Sequence, residues 1–189
     1  MPQFPQASQL SLPCRFAQVV PGALHADGRR YLPLLIFSLP GGLQLGVVDR
    51  HHRVDLTQAG REGSAQLVFL LSTIRMQQGE RHAGLQAEPD LGGRPSTQPT
   101  ASGRVLAVPS WETEKEHLPY EMMYTELLLD VGLGVIGVRT HMTAQRLDEA
   151  LGQPQLAAGD WIDVGRSRID ILAFLPSAGG QQGASATSP

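Results

Sequence analysis

This sequence predicts a mainly β chain, a single barrel or sandwich with one or two short helices. Three observations carry the prediction. Arg168, Asp170, Leu172 and Phe174 alternate with Ile169, Ile171 and Ala173, the period of two that a pleated strand imposes. Glycine (21) and proline (14) are plentiful, which suits short strands joined by turns. Helix start and stop signals come together clearly only once, around residues 142–154.

Taken in order, Cys14–Val20 reads as a strand and Ala26–Asp27–Gly28 as a turn. Tyr31–Leu39 is a second strand in which Pro33 marks an edge or a bulge. Pro40–Gly41–Gly42 turns the chain into Leu43–Val48. The run Leu67–Met76 is ambiguous: Leu67, Leu70, Leu71 and Ile74 fit one helical face with Ser64 as cap, yet the run is short and β-rich, and strand is the favoured reading. Arg104–Val108 is a strand, Pro109–Pro119 a polar connection, and Tyr120–Val131 a long strand. Gly132–Leu133–Gly134 breaks it and Val135–Arg139 returns. Met142–Leu151 is the one helix expected with its own cap and stop. Thr143 caps it, Ala144, Leu147 and Leu151 share a face, and Gly152 and Pro154 end it. Trp161–Val164, a turn Gly165–Arg166–Ser167 and Arg168–Phe174 read as a closing β-hairpin, fed by Gly159–Asp160. A small helix ahead of the last strands resembles, in architecture alone, an oligonucleotide/oligosaccharide-binding (OB-like) barrel.

One domain of residues 13–176 is expected, with a flexible N-terminal tail (1–12), a mobile loop at 84–102 and a disordered C-terminal tail (177–189) that is small and polar. At 41% hydrophobic the chain can bury a core, but at 5% aromatic that core rests on Leu, Val, Ile and Ala. The net charge of −3 supplies no general attraction to nucleic acid or to an anionic membrane. Cys14 is the sole cysteine, so no intrachain disulfide and no cysteine-based metal cluster can form. A cytoplasmic protein without a membrane partner is expected, since the opening residues lack the pattern of a signal peptide and no apolar run reaches a membrane span.

Several constellations invite a chemical reading. Gly132–Gly137, GLGVIG, matches the dinucleotide fingerprint G-x-G-x-x-G, but β-branched residues follow it instead of a helix, so a glycine-rich hairpin turn is preferred. Asp49–Asp55, DRHHRVD, holds two His and two Asp, but adjacent His side chains diverge on a strand and the other histidines are scattered. There is no G-x-S-x-G elbow, and Cys14 reads as a buried structural thiol. Asp163 could converge with Asp160 or Asp170 across the closing hairpin. No cofactor, metal site or catalytic residue is expected.

The cations are skewed: of the fifteen, only Lys115 is not arginine. Arg75, Arg104, Arg139, Arg166 and Arg168 lie on or beside expected strands, whereas acids gather in Glu112–Glu126. With Trp111 and Tyr124 as stacking aromatics, these arginines form a candidate surface for single-stranded nucleic acid. The acids around both aromatics oppose it, and cross-strand pairing such as Arg168 with Asp163 is an equally simple use of the arginines. The expected function is therefore a non-catalytic binding module, a single-stranded nucleic-acid or nucleoprotein accessory protein. The alternatives are a homo-oligomeric assembly protein and an enzyme with a dispersed site. Arginines sharing a face with exposed aromatics would favour the first. Arginines paired with acids beside an open apolar face would favour the second.

Overall fold

In a computed structural model the described residues are 6–70, 72–89, 91–108, 125–140, 142, 144–153, 156–165 and 167–178. They form one mixed sheet of eleven strands and one α-helix. The strands are β1 (Leu12–Val20), β2 (Leu34–Ser38), β3 (Gln44–Val48), β4 (Glu62–Leu70), β5 (Thr73–Met76), β6 (Gly84–Gln86), β7 (Thr100–Ala107), β8 (Thr125–Asp130), β9 (Val135–Thr140), β10 (Trp161–Gly165) and β11 (Arg168–Pro176). The helix, α1 (Ala144–Leu151), precedes β10.

The path through the sheet is β3-β2-β1-β4-β9-β8-β7-β10-β5, with β11 on the other side of β4 and β6 beside β7. Thus β4 is the hub. It pairs with β1 through Ala65↔Leu12, with β9 in parallel through Val68↔Gly137, and with β11 along its length. Within Leu67–Met76, Leu67–Leu70 and Thr73–Met76 lie, as expected, in strands, the end of β4 and all of β5. The stretch 84–102 carries strand at both ends, with Gly84–Gln86 paired to Thr100–Ser102. Between them the Glu88 carboxylate accepts from the Ser96 hydroxyl and from the amides of Thr97 (3.2 Å) and Gln98 (2.7 Å).

The closing segment needs correction. β10 and β11 do not pair with each other. β10 lies between β7 and β5, and β11 lies on β4. Arg168 stands opposite Leu70 and Gly165 opposite Thr73. Gly165 suits this pairing because a Cβ there would lie 2.5 Å from Thr73 Oγ1.

The GLGVIG run is a turn. Val131 N–H donates to Gly134 O (2.9 Å), Gly132 has φ +75°, and β9 follows without a helix. Gly134 also admits the N-terminal strand, since a Cβ would lie 2.2 Å from Ser11 O. Residues read as a tail thus contribute to the fold: Ser11 bridges Val135, and Leu10 packs with Val68 and Leu128 over one sheet face.

The opposite face holds the main core. Leu67, Phe69, Val105, Leu127, Leu129, Ile136, Val138, Ile162, Val164, Ile169 and Ile171 are all buried there, together with Leu147 and Leu151 of α1. Burying each such side chain stabilises the fold by about 1.5–3 kcal/mol relative to leaving it in water. Phe16, Phe37 and Phe174 extend the core towards β1–β2, with ring centroids 5.0–5.9 Å apart. No helix among the described residues is long and apolar enough to cross a membrane.

Candidate functional site

Cross-strand partners share a sheet face, so the ladders around β10 define one outer surface. Trp161 opposes Arg104, Asp163 opposes both Arg75 and Ser102, and Ser102 opposes Gly84 on the far side of β7. The four strands β6-β7-β10-β5 therefore present Arg75, Arg104, Ser102, Trp161 and Asp163 together. The connection from β5 to β6 crosses the end of this face and brings in His82. Gln77 fixes it: the His82 N–H donates to Gln77 Oε1 (2.9 Å), while Gln77 Nε2 donates to His82 O (2.9 Å) and Ile162 O (3.2 Å).

Asp163 is the centre of the cluster. Arg75 Nε donates to its Oδ2 (2.9 Å), Ser102 Oγ donates to its Oδ1 (2.8 Å), and His82 Nε2 lies 3.9 Å from Oδ1. A groove of about 530 Å³ opens beside these groups, lined also by Thr73, Gln86, Thr100 and Gly165. A second groove of about 240 Å³ lies across Arg75 and His82, against Met76 and Gln78. The Arg75 side chain remains 79% exposed, so its outer nitrogens face the grooves while Nε is held.

Serine, histidine and aspartate meet here without forming a nucleophilic triad. That chemistry needs histidine between hydroxyl and carboxylate. Ser102 instead donates directly to Asp163, and His82 approaches the same oxygen. The groove supplies donors, acceptors and one exposed guanidinium, which is equipment for holding a polar ligand. No family model, curated protein or solved structure matches this chain. The site is therefore read from its own residues.

The nominated residues are distributed unevenly. Arg75 and Arg104 lie on the groove face. Arg139 is on the same side of the sheet by register but is buried in a pair with Glu126, Nε 2.6 Å and Nη2 2.5 Å from Oε1. It is removed from the accessible surface because the β8–β9 ladder sets Glu126 directly opposite it. Arg168 stands across Leu70 from Arg139, and Asp170 Oδ1 is 3.5 Å from both its Nε and Arg50 Nη1. The Arg168 pairing with Asp163 suggested by the sequence is thus replaced by Arg168–Asp170 and Arg75–Asp163. Trp111, Tyr124 and Arg166 lie outside the described residues, as does Thr143. The sequence did not single out Trp161, Ser102 or His82. Alternation does place Trp161 beside Asp163 on one face, but the match to Arg104 and Arg75 depends on pairing across the chain.

The other candidates are structural. In DRHHRVD, buried Asp49 accepts from the amides of His51 (3.2 Å) and Val54 (2.8 Å), and Asp55 caps a short 3-10 turn through Thr57 N–H (2.9 Å). No group of three potential metal ligands occurs among the described residues. The Cys14 thiol is buried, and burial pushes its pKa up to about 12.

Proposed function

We propose that the protein acts by binding and that the outer face of β5, β10 and β7 takes a single-stranded nucleic-acid segment. One observation carries this reading: the register puts half-buried Trp161 directly beside exposed Arg104 and one residue pair from Arg75. A flat ring and guanidinium groups on one surface are what a strand of stacked bases and phosphates requires. The OB-like architecture belongs to the same proposal. In the sheet β4, β9, β8, β7, β10 and β5 pair in succession, and β11 pairs with β4. An OB barrel is likewise a small β architecture, whose sheet face and loops hold oligonucleotides.

The ion pairs temper the charge. Arg75, Arg139 and Arg168 each face a carboxylate, and this favours a second reading, a homo-oligomeric assembly protein. Fluorescence anisotropy separates the two. A labelled oligothymidine should bind at low salt and weaken steeply as salt rises, because each neutralised phosphate releases counterion. Arg75→Ala and Arg104→Ala should each flatten that dependence by about 0.7 in log–log slope. An absence of binding at tens of micromolar protein, with a concentration-dependent sedimentation coefficient, would replace the first reading by the second.

A further inference from the structure

Between β1 and β2 the chain leaves the sheet as an arm, residues 21–33. The arm is ordered by its own hydrogen bonds. Tyr31 N–H donates to Ala23 O (2.9 Å), His25 N–H to Arg29 O (2.7 Å) and Gly28 N–H to His25 O (3.0 Å). Gly28 turns it with φ +84°, and at its base a Cβ on Gly22 would lie 1.9 Å from Tyr31 O, so the two sides are in close contact. Almost every arm residue is exposed, so the core gains little from this structure.

What the arm presents is specific. Ala23 opposes Tyr31 and His25 opposes Arg29, which puts His25, Arg29 and Tyr31 on one face. The His25 ring meets Tyr31 edge-on at 5.6 Å and 88°, fixing a tyrosine that is 61% exposed. On the other face Leu24 opposes Arg30, whose Nη1 donates to Gly22 O (3.2 Å). Asp27 is the arm's one acid, and the turn uses it: the Arg29 amide donates to it (2.9 Å) and His25 Nδ1 lies 2.9 Å away. Neither Arg29 nor Arg30 makes an ion pair with a carboxylate among the described residues.

The geometry points to the arm as a second contact for single-stranded nucleic acid, with Arg29 and Arg30 on phosphates and Tyr31 under a base. The carboxylate pairing that weakens the groove is not seen here, since neither guanidinium is ion-paired among the described residues. The same short hairpin offers the ring and the cations, the two chemistries that such a strand combines. This inference rests on the nucleic-acid reading of the protein and adds a site that its groove does not include.

The test uses the full chain and a fluorescein-labelled oligothymidine at low salt. Tyr31→Ala should weaken binding roughly 5- to 150-fold, whereas Tyr31→Phe should bind like the parent. Arg29→Ala/Arg30→Ala should reduce the log–log salt slope by about 1.4. Unchanged melting temperatures for all three would show that the core is intact. Photo-crosslinking to 4-thiothymidine should label the peptide that contains Tyr31. Arm variants that bind like the parent while Arg75→Ala weakens binding would overturn the arm and leave the groove. No binding by the parent would overturn both. Arm variants that alter sedimentation but not oligonucleotide affinity would make the arm a contact between copies and overturn the inference.

Discussion

Replacing Arg139 with methionine should destabilise the protein severely while leaving the binding surface untouched. Its side chain is 5% exposed and that of Glu126 is fully buried, and Arg139 Nε and Nη2 both lie against Glu126 Oε1. Removing the cation takes the Arg139 charge away from a carboxylate held in the interior. Breaking a buried pair on one side costs about 3–5 kcal/mol. With a urea m-value of about 2 kcal/mol/M, the midpoint should fall by about 1.5–2.5 M. The loss should vary little with added salt, since water and ions do not reach the pair. Arg139→Met/Glu126→Leu should recover most of the stability, because an apolar pair of similar volume removes both desolvation costs. Equilibrium urea unfolding of the parent, the two single variants and the double variant would measure the coupling. A loss below 1 kcal/mol for Arg139→Met, or a double variant no better than the single, would refute the assignment of Arg139 to the interior.

Three further outcomes follow from the fold. Ile171→Ala on β11 should cost about 2–5 kcal/mol, because the side chain is buried in the main core; a urea midpoint equal to the parent's would place β11 at the periphery. Cys14 should resist a disulfide reagent such as dithiobis-nitrobenzoate in the folded protein and react once unfolded, since its burial leaves almost no thiolate; rapid reaction in buffer would contradict the buried site. At Glu88 burial opposes the charge, but the Ser96 hydroxyl and the amides of Gln98 and Thr97 outweigh it and hold the pKa below its ordinary 4.5. A depressed folded pKa contributes stability that is present above the ordinary value and lost as pH falls through the folded one. The melting-temperature gap between parent and Glu88→Gln should therefore be full at pH 7 and close below 4.5; a gap that widened on acidification would reverse the sign.

Local pattern carried much of the fold. The inward set Leu127, Leu129 and Val131 is the alternation of a strand, and Leu147 and Leu151 are a helical face. Gly132–Gly134 was legible as a turn because a tight β-turn needs glycine more than a nucleotide does at that place. The closing hairpin was not legible. Gly165–Ser167 has turn chemistry, yet β10 pairs with β5 and β7 and β11 with β4, a choice made by distant partners. The site was hidden for the same reason, since Arg75 and Asp163 are 88 residues apart in sequence. Arg139 looked like a surface cation because its buried partner, Glu126, sits across a hairpin whose facing direction the alternation alone leaves open. The arm at 21–33 showed only its Ala26–Asp27–Gly28 turn. Its exposed Tyr31 appeared as the start of a strand that begins at Leu34.

The sheet face around Trp161 is the proposed binding site for a single strand. Its most direct test is a two-dimensional amide spectrum of the labelled protein titrated with oligothymidine. Shifts should concentrate on Arg75, Gln77, His82, Ser102, Arg104, Trp161 and Asp163, with the Trp161 indole N–H among the largest, while buried Arg139 and Glu126 stay in place. A spectrum that does not change at saturating oligonucleotide, or shifts confined to strands away from β5, β7 and β10, would contradict it.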